Sequence, residues 1–203
     1  GRYQLLRQVA NGGMASIYEA IDTRLDRKVA VKIMHPHLAQ DEAFVSRFIK
    51  EAKAAAALSH PNIVAVQDQG WNQGGPPAVF LVMELVDGST LRDFLNENGS
   101  LTVEQTLQIM NPVVSALAAA HKIGIIHRDI KAANLWLKKD GSIQIHDFAI
   151  AIDKTVRKSS TFIGTPCWMA PDVLETAINK ASYSQLIDIW SLGITALELH
   201  FGL

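Results

Sequence analysis

An acid, two bases and an amide stand within eight consecutive residues of this sequence, in the stretch HRDIKAAN at residues 127–134. Apolar residues precede and follow this stretch, and a further carboxylate occurs at Asp147 in the stretch HDF, residues 146–148. Side chains of these types can transfer a proton, hold a cation or stabilise a developing charge. Taken singly, each would be a solvated loop charge or a surface ion pair. Their density between two apolar segments raises the question of whether they share a function.

The composition restricts the classes of protein to which the chain can belong. With 203 residues and 48% hydrophobic content, the chain is long and apolar enough for one or two packed cores. Its 19 basic and 20 acidic residues nearly cancel, which argues against binding to nucleic acid or to an anionic membrane. Its apolar runs are much shorter than the roughly 18 residues that span a bilayer. The single cysteine, Cys167, cannot form an internal disulfide, so a reducing, cytoplasmic location fits best.

The first part of the chain, residues 1–86, has the pattern of a small sheet with one helix. Five runs alternate as paired strands do, separated by Gly, Pro and polar turns. These runs are YQLLRQV, SIYEAI, KVAVKIM, IVAVQDQ and AVFLVME. Between the third and fourth runs, apolar residues in the segment 41–58 recur at helical spacing, and Asp41 is a candidate N-cap. The pattern predicts a five-stranded antiparallel sheet that packs against one helix.

The second part, residues 87–203, has a mainly helical pattern. Helices are predicted in TLRDFLNEN, in VEQTLQIMNPVVSALAAAHK and in SQLIDIWSLGITALELH. Pro112 should kink the second of these helices, because its ring removes a backbone donor. A strand-rich part followed by a helix-rich part predicts an α+β protein, with the polar stretches gathered in a cleft.

Several motifs follow one another as they do in eukaryotic-type serine/threonine protein kinase domains, and the chain resembles that family from Tyr3 to its end. The motifs are VAVK at residues 29–32, a helix glutamate at Glu51, HRDIKAAN at 127–134 and HDF at 146–148. The resemblance implies a two-lobed fold, with a small antiparallel-sheet lobe over 1–86 and a mainly helical lobe over 87–203. It also implies transfer of the γ-phosphoryl group of ATP, with Mg²⁺, to protein hydroxyls.

The resemblance gives each polar residue of the two motifs a role. Asp129 would accept or orient the proton of the substrate hydroxyl, and Lys131 would hold the transferring phosphate. Asn134 and Asp147 would bind Mg²⁺, which prefers oxygen ligands. Thr165 would hydrogen-bond near Asp129 and line the pocket beside the substrate hydroxyl.

A second group of residues would hold ATP. Lys32 would reach the phosphates while paired with Glu51, and Met83 would be the gatekeeper beside the adenine. The positions that the resemblance assigns to the nucleotide are Gly12, Gly13, Ile17, Ala30, Lys32, Met83, Glu84, Val86, Trp136 and Asp147. The stretch VANGGMASIY matches the glycine-rich phosphate loop only in part, because Ala10 and Ala15 occupy the outer glycine positions. An ordinary Asn-Gly hairpin turn explains this stretch equally well.

The stretch RKSSTFIGTPCWMAP resembles the activation segment of the eukaryotic sterile-kinase branch, whereas the N-terminal part resembles bacterial kinases. Ser159, Ser160 and Thr161 are candidate phosphorylation sites, Thr161 being favoured by the resemblance, and Arg128 would dock the new phosphate. A plain polar loop explains the three hydroxyls equally well. Asp188, in DIWSLG, resembles the buried acid that holds the HRD backbone. The implied partners are a protein substrate and either an activating kinase or a second copy of the chain.

Other positions depart from the family pattern. Ala149 replaces the glycine of the magnesium motif and stiffens a hinge, Trp136 stands where a smaller residue forms the floor beneath the adenine, and Asp172 replaces a glutamate in APE. The family's large lobe continues beyond the helix that contains Asp188, so the resemblance predicts an incomplete lobe. Three interpretations stay open: an active kinase, a pseudokinase-type binding module, and an incomplete or engineered chain without activity. The intact catalytic set favours the first.

Overall fold

The computed structural model describes residues 1–72, 78–147, 152–153, 165–171, 173 and 184–203. The backbone contacts divide the chain into two compact units. The first unit contains Gly1–Ala57 and Val64–Val86, and the second contains Leu58–Ile63 and Asp87–Leu203.

An antiparallel sheet of five strands forms most of the first unit. Its strands are β1 (Tyr3–Asn11), β2 (Ala15–Asp22), β3 (Arg27–Met34), β4 (Val66–Asn72) and β5 (Ala78–Glu84), and their order in the sheet is β1-β2-β3-β5-β4. One helix, α1 (Glu42–Ala56), lies between β3 and β4 in the chain. It begins where the Asp41 carboxylate accepts a hydrogen bond from the Phe44 amide, which is the geometry of an N-cap. The sequence predicted each of these elements.

Alternation along β3 gives the sheet two apolar faces. Val29 and Val31 pack with Ala20 and Val82 in one buried cluster. Ala30, between them, belongs to a second cluster with Ala52, Val64, Leu81 and Met83. Ala52 comes from α1, so this second cluster is the contact between the helix and the sheet. A period of two residues is what places neighbouring side chains of one strand in different clusters.

A group of charged residues ties the start of β1 to the ends of two other strands. The Arg2 guanidinium donates to both carboxylate oxygens of Asp22, at 3.0 and 2.8 Å, and to Asp68 Oδ2 at 2.7 Å. The Tyr3 hydroxyl donates to the same Asp68 oxygen at 2.5 Å. The hydrogen bond from Arg2 is the largest cause that lowers the pKa of Asp22. Burial, followed by the bond to Asp68, raises the pKa of Tyr3 to about 12.

Three helices dominate the second unit, namely α2 (Leu91–Asn98), α3 (Val103–Lys122) and α4 (Leu186–Phe201). Thr90 caps α2 through its side chain, and a capping box formed by Thr102 and Gln105 begins α3, as favourable N-terminal residues should. The helix α3 continues through Pro112. Within the described ranges, no helix has the length and apolar character needed to cross a membrane.

Short strands also occur in the second unit, and the sequence pattern did not reveal them. One sheet contains β6 (Gly88–Thr90), β8 (Leu135–Lys138) and β9 (Ile143–Ile145), and another pairs β7 (Ile125–Ile126) with β10 (Ile152–Asp153). The segment Leu58–Ile63 contacts the sheet formed by β6, β8 and β9. Asn62 O accepts a hydrogen bond from the Ile145 amide at 2.8 Å, and Asn62 Nδ2 donates to Ile143 O at 2.7 Å. This pairing fixes β9 within the second unit.

The α+β class with a small antiparallel sheet and a helical part is thus confirmed. Some predictions fall on residues outside the described ranges. They concern Ala149, Ser159, Ser160, Thr161 and Asp172.

Two glycine substitutions should change the stability of the second unit in opposite directions. A Cβ on Gly88 would meet the backbone oxygen of Leu137 at 2.1 Å, so Gly88→Ala should lower the free energy of unfolding by about 2 kcal/mol. A Cβ on Gly193, in α4, meets nothing within 4 Å, so Gly193→Ala should raise it by about 0.5–1 kcal/mol. Urea denaturation of the two variants measures both changes. An equal change in the free energy of unfolding for Gly88→Ala and Gly193→Ala would contradict the close pairing of β6 with β8.

Removal of the Arg2 guanidinium should lower the stability of the folded chain at neutral pH but not at acidic pH. Because the pKa of Asp22 is lowered in the folded chain, its ion pair with Arg2 contributes to stability above the unfolded pKa of Asp22. This contribution is lost as the pH falls through the lower folded pKa. The stability difference between wild type and Arg2→Met should therefore be constant above about pH 5 and shrink below about pH 4. Thermal melts across this range test it. Lys53→Met, which removes an exposed cation of α1, is the control and should show no such trend.

Candidate active site

The residues predicted to carry the chemistry meet in one hydrogen-bonded group within the second unit. Lys131 Nζ lies 2.8 Å from Asp129 Oδ2 and donates to Thr165 Oγ1 at 2.5 Å. The Thr165 hydroxyl in turn donates to Asp129 Oδ1 at 2.8 Å. Asn134 Nδ2 donates to Asp129 Oδ2 at 2.9 Å and to the Asp129 carbonyl at 2.7 Å. Three residues, Lys131, Asn134 and Thr165, thus surround the Asp129 carboxylate, although the group covers 37 positions of the chain, from 129 to 165.

The Asp129 carboxylate is oriented by these contacts and by its own backbone. Its amide donates to His127 Nδ1 at 3.2 Å, and His127 Nε2 bonds to the His146 carbonyl at 3.0 Å. Since Nδ1 accepts, the ring proton is on Nε2, from which it is donated to His146 O. His127 is fully buried, so this ring fixes the Asp129 backbone against the end of β9.

Asp188 on α4 holds the two residues that precede Asp129. Its Oδ2 accepts from the His127 amide at 2.8 Å and its Oδ1 accepts from the Arg128 amide at 2.7 Å. The carboxylate has no exposed surface, and His121 Nε2 lies 2.7 Å from Oδ2. Arg128 has a left-handed backbone with φ 74°, which is unfavourable for a side chain of its size. The hydrogen bonds from the His127 and Arg128 amides to Asp188 hold this conformation in place.

The two predicted magnesium ligands lie at the same end of the β8–β9 hairpin. Asn134 directly precedes β8, and its carbonyl accepts from the His146 amide at 2.8 Å. Asp147 follows His146 and has φ 71°, a second left-handed residue. Both hydrogens of the Asn134 amide are used on Asp129, which turns the amide oxygen away from that carboxylate. An amide oxygen and a carboxylate at this end of the hairpin are the donor set that Mg²⁺ prefers.

The first unit brings together most of the residues predicted to cover the adenine. Ala30 and Met83 are buried in the cluster between sheet and α1, and Ile17 and Val86 pack against it. The amide of Glu84 donates to Ala65 O at 2.9 Å. The predicted contact of these residues with an adenine ring stays a prediction.

Lys32 lies on β3, where it pairs with Ile17 on one side and with Leu81 on the other. Its side chain is partly exposed. The helix α1 contains Glu51, whose side chain is outside the described part of the structure. The ion pair between Lys32 and Glu51 therefore stays a prediction.

The turn with the glycines is closed by hydrogen bonds from both sides. The Gly12 amide donates to Ala15 O at 3.0 Å, and His35 bonds through its ring to Gly12 O at 2.8 Å and through its amide to Met14 O at 3.0 Å. Neither Gly12 nor Gly13 has a positive φ, and a Cβ on Gly13 would meet nothing within 4 Å. The turn does not need glycine for its own geometry. The open space at Gly13 is what the close approach of a phosphate requires.

Trp136 lies on β8, where it pairs with Thr90 and Gln144, and its indole lies 6.2 Å from the His146 ring. The ring is partly exposed. Its predicted place beneath the adenine stays a prediction.

Further residues of the site were not among those predicted. On α4, Ser191 donates to Trp168 O at 2.8 Å, Thr195 donates to Ile130 O at 3.2 Å, and Glu198 accepts from the Ala132 amide at 3.0 Å. The sequence contains a signal for them. Together with Asp188 these polar residues follow a spacing of three, four and three in an otherwise apolar helix, which places them on one face.

Comparison with known proteins identifies relatives of the whole chain. A model of the family described as the protein kinase domain matches residues 3–203. The chain is 41% identical to the probable serine/threonine-protein kinase pknA2 of Bifidobacterium longum over 208 residues, which is 100% of this chain and 27% of the relative. It is 39% identical to the serine/threonine-protein kinase PrkC of Bacillus subtilis, with 100% of this chain and 31% of the relative covered. For the serine/threonine-protein kinase PknL of Mycobacterium tuberculosis the identity is 35%, with 99% and 49% covered.

The chain thus spans between 27% and 49% of the length of these relatives. All three are bacterial, in agreement with the resemblance of the N-terminal part to bacterial kinases.

Replacement of Asp188 should destabilise the second unit. Asp188→Asn leaves one acceptor oxygen for two buried backbone amides, so one amide loses its partner. We expect the free energy of unfolding to fall by about 3 kcal/mol, as measured by urea denaturation. Asp140→Asn, at an exposed turn where the side chain bonds to Ser142, is the control and should remain close to the wild type. A stable Asp188→Asn variant would show that the amides do not depend on this carboxylate.

Proposed function

Since the chain belongs to the protein kinase domain family, we propose that it is a serine/threonine protein kinase that uses ATP and Mg²⁺. The observation that carries this proposal is the group formed by Asp129, Lys131, Thr165 and Asn134 around one carboxylate. Phosphoryl transfer depends on positioning and on charge stabilisation. This group provides a carboxylate and a lysine held at hydrogen-bonding distance.

Each residue of the group has a task in this proposal. Asp129 orients the substrate hydroxyl and receives its proton, while Thr165 holds one of the two Asp129 oxygens in place. Lys131 neutralises charge on the phosphoryl group as it moves. The protein thus supplies two fixed charges of opposite sign beside the acceptor oxygen.

In this proposal, separate groups of residues would hold the adenine, the phosphates and the metal ion of the nucleotide. Ile17, Ala30, Met83 and the backbone of Glu84 and Val86 would hold the adenine. Lys32 with Glu51 and the turn at Gly12 and Gly13 would hold the phosphates, and Asn134 and Asp147 would hold the metal ion. When bound, Mg²⁺ neutralises charge on the β- and γ-phosphates and orients them.

The finer parts of the proposal concern regulation, substrate and location. The substrate is a protein with accessible Ser or Thr hydroxyls. Phosphorylation of Thr161, by a second kinase or a second copy of the chain, would activate the protein. The single, exposed Cys167 supports a reducing, cytoplasmic environment.

A thermal melt with nucleotide tests the binding part of the proposal. A ligand that binds only the folded state raises the melting temperature, so ATP should stabilise the chain, and more strongly with Mg²⁺. Asp147→Asn removes a charged metal ligand and should lose the additional effect of Mg²⁺. Asp129→Asn should retain it, because this carboxylate acts on the hydroxyl.

Transfer itself is measured as radioactive phosphate from ATP on a pool of peptides randomised around one Ser or Thr. We expect Asp129→Asn to reduce the rate by roughly a hundredfold or more. A folded chain that shows neither a shift at millimolar ATP nor transfer would overturn the kinase proposal and favour a binding module. A shift without transfer would favour a pseudokinase.

A further inference from the structure

Glu198 is a buried carboxylate that the proposed chemistry does not use. It lies on α4 near the end of the helix and is 2% exposed. Three groups from separate parts of the second unit donate to it. The Arg92 guanidinium of α2 bonds to Oε1, whereas the Ala132 amide and the Trp168 indole bond to Oε2 at 3.0 and 2.8 Å.

Two of these donors stand beside the residues of the catalytic group. Ala132 directly follows Lys131, and Trp168 is three residues after Thr165. The Trp168 amide also donates to Thr165 O at 2.9 Å, so the tryptophan and Thr165 belong to one tight turn. A single oxygen of Glu198 therefore joins the backbone beside Lys131 to the turn that contains Thr165.

These two hydrogen bonds to Glu198 affect the contact between Lys131 and Thr165. That contact, at 2.5 Å, and the Thr165–Asp129 bond, at 2.8 Å, connect two segments that lie far apart in sequence. Ser191 and Thr195 of α4 hold the same segments through the Trp168 and Ile130 carbonyls. Glu198 differs from these hydroxyls because it bonds to both segments with one atom.

The charge of Glu198 is compatible with its burial. A buried carboxylate is costly unless it is paired and hydrogen-bonded. Arg92 provides the opposite charge, and the amide and the indole provide two further donors. Hydrogen bonds to an ionised acceptor are stronger than those between neutral groups, so the carboxylate is suited to fixing these donors.

We propose that Glu198 is a positioning residue for phosphoryl transfer, which sets the place of Thr165 relative to Lys131 and Asp129 by binding Ala132 and Trp168. It touches neither substrate nor nucleotide in this role. Arg92 pairs with the other carboxylate oxygen, Oε1, and so directs Oε2 toward the two donors. The inference rests on the proposed kinase function and adds a determinant of its rate.

Kinetics of Glu198→Gln and Trp168→Phe test the proposal. The first keeps the size of the side chain but replaces the carboxylate with an amide, and the second keeps an aromatic ring but removes the indole donor. Both should lower kcat roughly tenfold and leave the KM for ATP within about twofold of the wild type. The assay is phosphate transfer from ATP to the randomised peptide pool.

The control is Thr106→Val, which removes a buried hydroxyl of α3 that, among the described residues, bonds within its own helix terminus, to Thr102 O. It should lower the melting temperature without lowering kcat. If Glu198→Gln is folded and retains the wild-type kcat, the proposal is overturned. If that variant does not fold, Trp168→Phe decides, and an unchanged kcat there overturns the proposal.

A second measurement separates this inference from the kinase function. Hydrogen exchange at the Ala132 amide and the NMR shift of the Trp168 indole proton report the two bonds to Glu198 directly, even in a chain that transfers no phosphate. Faster exchange and a shifted indole signal in Glu198→Gln support the positioning role. Unchanged values in a folded variant contradict it, whatever the activity of the wild type.

Discussion

Buried polar side chains on α4 hold the backbone of the catalytic loop, and the geometry of the site depends on these hydrogen bonds. The loop around Asp129 is irregular, so its amides and carbonyls cannot all be satisfied by a regular ladder, and buried backbone groups need partners. Asp188 bonds to the amides of His127 and Arg128, Thr195 to the carbonyl of Ile130, and Glu198 to the amide of Ala132. The carboxylates are tolerated in the core because the backbone donors solvate them.

The first unit satisfies its backbone in a different way, through a regular antiparallel sheet. Here the register is sufficient to place each side chain. Once β3 pairs with β2 and β5, Lys32 must lie between Ile17 and Leu81, and Ala30 must lie beside Met83. The buried faces of β3 fix this register, since a shift by one residue would turn Lys32 into the buried cluster that contains Ala20 and Val82. The placement of the predicted adenine residues thus follows from strand periodicity.

This contrast explains which parts could be predicted from the sequence. The strands and helices with several periods of apolar residues were predicted, as in β3 and α3. The strands β6, β7 and β10 contain two or three residues, too few for a period to be visible, and they form only where tertiary contacts supply partners. Asp129, Lys131 and Asn134 were found from residue type and order. Glu198 was missed because a polar residue in an amphipathic helix ordinarily faces solvent, and only its partners show that it is buried.

The departures at the glycine-rich turn can be assessed from the same physical terms. Ala10 lies within β1 and Ala15 begins β2, so both outer positions have extended backbone, which any residue adopts. The turn between them closes through Gly12, Ala15 and His35 without a positive φ. Alanine at the outer positions therefore introduces no backbone strain. The loss of glycine bears on how closely phosphate can approach the turn rather than on whether the hairpin folds. The intact group around Asp129 lies in the second unit and does not depend on that hairpin for its internal geometry.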